Sequence, residues 1–191
     1  MMTHDEAIQN LTCKTLVIEK LQSIVEQFLG DSSIEAAAAM NLSLRTSVHA
    51  SSLENSEQIV SLLTLLSSSQ DMSVRWAVAK NPHTPVSILE QLSCDEVNLV
   101  RALVATNINT PKAILQKLFN DEKIVRDGLS GNPSTPHKLL HVLADDSDTM
   151  VRMRVLENAS CPKEVCEKLL GDSAPNVREA ALKKYQRLND A

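Results

Sequence analysis

The chain has 191 residues, of which 43% are hydrophobic and 23% charged, and its formal net charge is −5. The apolar content excludes wholesale disorder, the 4 Gly and 7 Pro exclude a collagen-like chain, and the acidic balance argues against broad charge-driven binding to nucleic acid. With one Trp, one Tyr and two Phe, the core must be filled by Leu, Val, Ile and Ala, which suits thin layers of short helices.

The first residues predict the compartment. The sequence opens MMTHDEAIQN, with acids and a His where a signal peptide carries a basic stretch and an apolar core. No stretch reaches the roughly 18 apolar residues of a membrane span. We therefore expect a cytoplasmic protein, and in that reducing compartment its cysteines are expected to be free thiols. These are Cys13, Cys94, Cys161 and Cys166.

Two helices are predicted before the main pattern begins. Residues 16–29 have amphipathic helical spacing, and residues 34–40 form an Ala-rich helix for which Ser32 and Glu35 have the spacing of a capping box. We interpret residues 1–43 as N-terminal capping helices. A weaker repeat starts at Arg45, which a shift of 30 residues aligns with Arg75. The same shift aligns Val48 with Val78 and Ser51 with Asn81.

Internal repetition is the dominant signal of the sequence. Val-Arg pairs recur at intervals of 26, 25, 26 and 26 residues. After each of the first four pairs come an Asn, a Pro, a Leu and an Asp in constant register, which chance does not reasonably produce. The arginines are Arg75, Arg101, Arg126, Arg152 and Arg178; the later marks are Asn81, Asn107, Asn132 and Asn158, Pro85, Pro111, Pro136 and Pro162, and Asp95, Asp121, Asp146 and Asp172.

Each repeat predicts a pair of short helices. Thr84-Pro85 indicates an N-cap followed by Pro at the first helical position, and apolar residues then follow at helical spacing as far as Leu92. After the Asp turn, a second helix directs Val100 and Val104 inward until the next Asn ends it. Neither helix can bury its apolar stripe alone, so stacked repeats must form one continuous core.

The predicted fold is therefore all-α. We expect an α-solenoid of about five to six two-helix repeats of 25–26 residues, in which residues 44–169 carry the repeats and residues 170–191 form a C-terminal capping repeat. In that last repeat the Asn-to-Pro stretch is replaced by Lys184, Tyr185, Gln186 and Arg187. A polar ending of this kind is what a terminal repeat needs.

The pattern L-x-x-D…VR-x-x-V-x-x-N-P-x-T-P-x-x-x-L-x-x-L resembles the leucine-rich repeat variant family and, more distantly, HEAT repeats, over about residues 44–191. The resemblance implies a right-handed superhelix of α-helices alternating with shorter, sometimes 3₁₀, helices. Some members of that family carry an iron–sulfur cluster on a cysteine-rich N-terminal segment. Here that region holds only Cys13, so no cofactor is expected.

The row of arginines has two interpretations. It can form a phosphate- or acid-binding ladder, or it can be structural, because an Asp precedes each Arg by four to six residues and Arg binds carboxylates or backbone carbonyls with two parallel bonds. We expect the structural ladder. The arginine row also includes Arg45.

The position after each arginine is more informative for function. It holds Thr46, Trp76, Ala102, Asp127, Met153 and Glu179. Because it accepts acids, we expect this position to face solvent, with Lys80 and Arg154 on the same face. Exposed Trp, Met and Arg are typical of interaction hot spots. The alternative is that Trp76 folds over the neighbouring degenerate repeat and completes its core.

Other candidate sites have simpler explanations. His137, His141 and Asp145 share one helix face, but HKLLH is not the H-E-x-x-H of a zinc protease and the face should be solvated, so no metal site is expected. Cys161 occupies a Thr-Pro position and Cys166 a core Leu position, which packing explains.

No nucleophile–base arrangement or Gly-rich phosphate loop stands out in the sequence. We therefore expect a non-enzymatic scaffold that binds a protein or peptide partner through Trp76, Lys80, Met153 and Arg154. The alternative is a nucleic-acid-binding or DNA-repair-like HEAT-repeat protein, which requires the arginine row to face solvent.

Overall fold

The computed structural model describes residues 2–13, 15–46 and 56–190, without the side chains of Thr46 and Ser56. Within these ranges the chain forms α-helices and no strand, as predicted. The helices are α1 (His4–Leu11), α2 (Ile18–Gln27), α3 (Ser32–Thr46), α4 (Ser56–Leu66), α5 (Met72–Lys80), α6 (Val86–Leu92), α7 (Asn98–Thr106), α8 (Lys112–Leu118), α9 (Lys123–Gly131), α10 (His137–Leu143), α11 (Thr149–Glu157), α12 (Lys163–Leu169) and α13 (Pro175–Asn189).

The helices group into two compact units, Met1–Val100 and Arg101–Ala191. In the first unit α3 packs between α1 and α5, and α2 packs on α4. In the second unit α11 packs between α9 and α13. Helices two apart in the chain are thus neighbours in both units, which is the packing of stacked helix pairs.

The predicted inward positions are confirmed. Val74 and Val78 of α5 are buried, as are their counterparts Val100 and Val104 of α7. The helices after each Pro are α-helices of 7 residues rather than 3₁₀ turns. Because helices this short are unstable alone, their buried Leu and Ile side chains must supply most of their stability.

The Thr-Pro prediction is wrong in one detail. Pro85, in extended conformation, is itself the N-cap of α6, and no side chain caps that helix. The hydroxyl of Thr84 instead donates to the carbonyl of Val78, at 2.5 Å, and so closes the C-terminus of α5. The same contact joins Thr110 to Val104 at 2.6 Å. The Thr therefore belongs to the preceding helix, where it adds a second hydrogen bond to a buried carbonyl that already accepts from the backbone N–H of the repeated Asn.

The repeated Asn links one repeat to the next. In the second unit, Nδ2 of Asn132 donates to the carbonyls of Ala105, at 2.7 Å, and Asn107, at 2.9 Å. Its Oδ1 accepts from the backbone N–H of Ser134 at 2.8 Å. Asn158 makes the corresponding contacts one repeat later, with Nδ2 2.8 Å from the carbonyls of Ser130 and Asn132. One amide thus bonds three backbone groups, two of them through buried contacts, and fixes the spacing of two repeats.

An asparagine contact of the same kind in the N-terminal region shows that the predicted alignment of its repeats is wrong. Nδ2 of Asn41, in α3, donates to the carbonyls of Leu11, at 2.7 Å, and Cys13, at 3.0 Å. Asn41, and not Ser51, therefore corresponds to the repeated Asn, and α1–α2 and α3–α4 are the first two repeats. The alignment of Arg45 with Arg75 is wrong, because α3 continues through Arg45. The predicted boundary at residues 43 and 44 falls inside α3, and Val48 and Ser51 lie outside the described residues.

The predicted capping box of Ser32 and Glu35 is replaced by hydrogen bonds to Asp31 and by different partners for Glu35. Oδ1 of Asp31 accepts from the N–H groups of Ser33 and Ile34 at the start of α3. Glu35, 4% exposed, accepts from the N–H of Gly30 at 2.9 Å and from the hydroxyl of Ser69 at 2.5 Å. Since Glu35 lies six residues before Asn41, it occupies the position that Arg holds in later repeats.

None of the helices in the described part of the chain combines the length and apolar character that crossing a membrane requires.

Gly128 marks a close approach between two helices of the second unit. A Cβ atom at this position would lie 2.8 Å from the carbonyl oxygen of Ala102 and 3.2 Å from Cβ of Ala105. At Gly131, three residues later on the same helix, a Cβ atom would meet nothing within 4 Å. Close packing at the first position therefore requires glycine.

We predict that Gly128→Ala lowers the free energy of unfolding by about 1–3 kcal/mol, because the methyl group forces the backbones apart. The matched variant Gly131→Ala should stabilise the protein slightly, by about 0.5 kcal/mol, since Ala favours helix over Gly. Urea unfolding monitored by circular dichroism measures both. Equal effects of the two substitutions would contradict the close approach.

Candidate functional site

Each arginine from Arg75 to Arg152 binds the Asp of the following repeat turn, 20 residues later. Nε of Arg75 lies 2.7 Å from Oδ2 of Asp95, and Nη2 lies 3.1 Å from Oδ1. The second unit repeats the Nε contact three times. Those pairs are Arg101–Asp121 at 2.7 Å, Arg126–Asp146 at 2.6 Å and Arg152–Asp172 at 2.6 Å.

The aspartate that precedes each arginine has a different role from the one that its sequence position suggested. Nη1 of Arg152 donates to the backbone carbonyl of Asp146, at 2.8 Å, while the carboxylate of Asp146 binds Arg126. One guanidinium thus spans the turn before its own helix and the turn of the next repeat. The sequence spacing of five or six residues reflects the carbonyl contact rather than the ion pair. Arg45 is outside this row and donates to Asn41 Oδ1 and the Leu16 carbonyl.

The pairing with arginine lowers the pKa of the aspartate carboxyl groups, which stabilises the folded state near neutral pH. The hydrogen bond from Arg152 lowers the pKa of Asp172, and that from Arg101 lowers the pKa of Asp121. For Asp146, burial acts to raise the pKa, but the bonds from Arg126 and the backbone together lower it. Because these folded-state values lie below the unfolded value of about 3.9, the stabilisation is complete above that pH and is lost as the pH falls through the folded pKa.

Trp76 lies in a groove of the first unit, between α3 and α5. The groove has a volume of about 610 Å³. Its lining includes Ala36, Ala39 and Met40 from α3 and Trp76, Ala77 and Lys80 from α5, with Ser43, Ser73, Asn81 and Pro82. The walls are mainly apolar, although Met40 is 64% exposed and Trp76 is 37% exposed. This combination is typical of binding grooves.

Lys80 lies beside the indole. Its Nζ is 5.2 Å from the centroid of the Trp76 ring, which is the geometry of a cation–π contact. The two residues are four apart on α5, and Val74 and Val78 anchor that helix in the core. The indole is therefore held from one side by its own helix.

Met153 and Arg154 belong to the second unit. Met153 is half-buried and lines a separate groove of about 440 Å³ between α11 and α13. Arg154 is exposed, with Nη1 2.9 Å from Glu157 Oε2 and Nε 3.7 Å from Asp127 Oδ2. The two pairs of predicted binding residues thus lie in different units, Trp76 and Lys80 in one and Met153 and Arg154 in the other.

The position after each arginine does not face solvent in every repeat. Trp76 and Glu179 are exposed and Met153 is half-buried, as expected of a variable surface. Ala102, however, is 7% exposed. The reason is Gly128, whose missing side chain lets α9 approach the backbone at Ala102.

The residues considered as metal ligands lie on the surface. His137, His141 and Asp145 are exposed, and Asp145 forms an ion pair with Lys168. Among the residues that the structure describes, no three His, Cys, Asp or Glu side chains are grouped so as to hold a metal ion.

Cys161 and Cys166 are both buried, with their sulfur atoms 3.8 Å apart. Burial raises the pKa of the Cys161 thiol to about 12 and also raises that of Cys166. Cys13 and Cys94 are exposed, and a hydrogen bond from Thr15 lowers the pKa of Cys13.

The sequence analysis predicted Trp76 and Lys80 as binding residues on one face but did not predict the opposite wall of the groove that they line. Ala36, Ala39 and Met40 have the spacing of one helix face, which was the available signal. The misalignment of Arg45 with Arg75 hid it, because that alignment placed α3 outside the repeats.

Comparison with known proteins finds similarity to a solved structure. The chain is similar to a solved structure described as a leucine-rich repeat variant with a novel repetitive protein structural motif, with 22% identity and a TM-score of 0.47 over 93% of this chain and 80% of that one. No family model and no curated protein matches the chain.

We predict that Arg152→Met lowers the free energy of unfolding by about 3 kcal/mol, because it leaves the buried Asp172 carboxylate without its guanidinium. Arg178→Met is the matched control. Among the described residues, the exposed Arg178 donates to the backbone carbonyls of Asp172 and Ser173 and adds only a weak attraction to the Asp172 carboxylate, so its loss should cost less than about 1 kcal/mol. Chemical unfolding at pH 7 measures the difference, and similar losses would show that the ion pair adds little.

We predict that Ellman's reagent at pH 8 modifies two thiols of the native protein quickly, Cys13 and Cys94. With a pKa of about 12, only about one in ten thousand Cys161 thiols is ionised at pH 8, and burial also blocks the reagent. All four thiols should react in denaturant. Fast reaction of a third thiol in the native protein would contradict the burial of this pair, and Cys161→Ser would identify its source.

Proposed function

We propose that this protein is a non-enzymatic interaction scaffold, and that the groove between α3 and α5 binds an apolar side chain of a protein partner. The observation that carries the proposal is Trp76, the single tryptophan of the chain, which is 37% exposed in the wall of an apolar groove.

The energetics of the groove support binding. Trp is among the residues that contribute most to protein interfaces, and Met is also enriched there. Met40, which is 64% exposed, lies in the same groove as the partly exposed indole. A partner that covers both would remove apolar surface from water, at about 25 cal/mol for each Å² buried.

The groove is also preorganised. Oδ1 of Asp71 accepts from the N–H of Ser73 and caps the helix that carries Trp76. The cation–π contact with Lys80 further restricts the indole. Because a side chain that is already ordered loses little entropy on binding, more of the contact energy appears as affinity.

The chemistry of the lining supports a binding role over a catalytic one. Among the described residues that line it, the polar side chains are Ser43, Ser73, Lys80 and Asn81, and none is a His, Cys, Asp or Glu that could serve as a base beside a hydroxyl. Nucleic-acid binding through the arginine row is less favoured, because four of its guanidinium groups already bind aspartates.

We predict that Trp76→Ala weakens binding of the partner by about 2 kcal/mol or more, which is roughly thirtyfold in Kd. The partner would first be captured with the tagged wild-type chain and identified by native mass spectrometry. Isothermal titration of the purified pair then gives the Kd. Since Trp76 is the only tryptophan, its emission should shift to the blue when the partner covers it.

The matched control is Tyr185→Ala, which removes an aromatic side chain from α13 in the other unit and should leave the Kd unchanged. Thermal melts establish that both variants are folded. An unchanged Kd for Trp76→Ala would place the binding site elsewhere. Captured nucleic acid, released between about 50 and 200 mM salt, would instead support the nucleic-acid alternative.

A further inference from the structure

We propose that the groove between α11 and α13 is a second docking site, and that it binds an acidic peptide segment carrying an apolar side chain. The site lies wholly in the second unit and does not depend on the Trp76 groove, so either can fail alone.

The floor of this groove is apolar. Met153, Leu156 and Ala159 contribute from α11 and the residues after it, and Ala180 and Leu188 contribute from α13. Its volume of about 440 Å³ is enough to receive an apolar side chain and part of its backbone. Leu188 is 41% exposed, so a ligand here would cover apolar surface that water now contacts.

A lysine replaces the repeated asparagine at the edge of this groove. Nζ of Lys184 donates to the carbonyls of Leu156, at 2.7 Å, and Asn158, at 2.5 Å. Asn158 makes the same two contacts one repeat earlier through a neutral amide. The substitution preserves the hydrogen bonds and adds a positive charge at the C-terminus of α11, where a cation is favoured but where the equivalent contacts of Asn158 are made without one.

The charges around the groove leave a cationic excess. Glu157 is paired with Arg154 at 2.9 Å, and Lys183 with Glu179 at 2.6 Å. Lys184 contacts neutral carbonyls and no carboxylate among the described residues. Arg187 is exposed and has no hydrogen bond or ion pair within the described part of the chain. Two positive charges thus remain unneutralised beside an apolar floor, in a protein whose net charge is −5.

Charge complementarity selects the ligand. A carboxylate can bind the guanidinium of Arg187 with two parallel hydrogen bonds, and the Lys184 ammonium adds attraction nearby. Apolar side chains of the same segment can then contact Met153 and Leu156. A single-stranded nucleic acid fits less well, because none of the described residues that line the groove is aromatic and could stack on a base.

The test is a selection of random peptides of about twelve residues on the full chain carrying Trp76→Ala, which disables the other groove. We expect the recovered peptides to be enriched in Asp and Glu next to Leu, Ile, Met or Phe. The best peptide is then synthesised with a fluorescent label, and its Kd is measured by anisotropy at two salt concentrations.

Two substitutions locate the site. Arg187→Glu should weaken the selected peptide about tenfold or more, because it reverses a charge at the groove. Lys184→Asn restores the residue of the other repeats, so it should keep the stability while weakening the peptide severalfold. Lys138→Glu is the control. It makes the same charge reversal on the exposed face of α10 and should change the Kd little.

Three results would overturn the proposal. One is the recovery of no peptides, or of peptides without acidic enrichment. Another is a selected peptide whose affinity is unchanged by both Arg187→Glu and Lys184→Asn while the variants remain folded in thermal melts. The third is tighter binding of a labelled single-stranded oligonucleotide that depends on the same residues, which would assign the groove to nucleic acid.

Discussion

The buried amide that joins successive repeats is the contact on which the stacking of this protein depends. A helix of nine residues leaves its last carbonyls without partners, and a layered fold places some of them away from water. Asn132 and Asn158, each 1% exposed, donate to two carbonyls of the preceding repeat, one in the last turn of its helix and one just after it, and accept from their own following turn. Because both ends of the amide are engaged, neighbouring helices cannot slide without leaving buried polar groups unpaired.

The arginine–aspartate pairs act at the other end of the same helices. Each guanidinium lies near the start of an odd-numbered helix and reaches the turn after the next even-numbered helix, as in Arg126 to Asp146. The repeat is therefore tied at both ends by polar contacts, with buried Val and Leu side chains between them. The positions that these contacts leave free are those that vary between repeats, and they supply Trp76 and Lys80 to the groove, whose lining also includes the repeated Asn81.

Most of the fold could be predicted from the sequence because the same residue types recur at the same structural positions in several repeats. The inward Val residues, the Asp turns and the paired arginines all have constant spacing, and the structure contains the helices that they predict. The misalignment of the N-terminal region arose where the spacing changes. Glu35 does at its position what arginine does later, with donor and acceptor exchanged, so no residue-type match could align it with Arg75. The packing distance between particular helices could not be predicted from the sequence either, as the burial of Ala102 against α9 shows.

Departures from the repeat are therefore of two kinds, and the contacts distinguish them. Glu35 accepts hydrogen bonds from Gly30 and Ser69 and is buried, so its chemistry is used within the fold. Trp76 and Lys184 keep groups available for a ligand: a partly exposed indole in one groove, and a positive charge without a carboxylate partner among the described residues in the other. A repeat needs neither to stack, since Ala102 stands at the position of Trp76 and Asn158 at that of Lys184. Residues that stacking does not require, placed in grooves with apolar walls, are where recognition on such a scaffold is best sought.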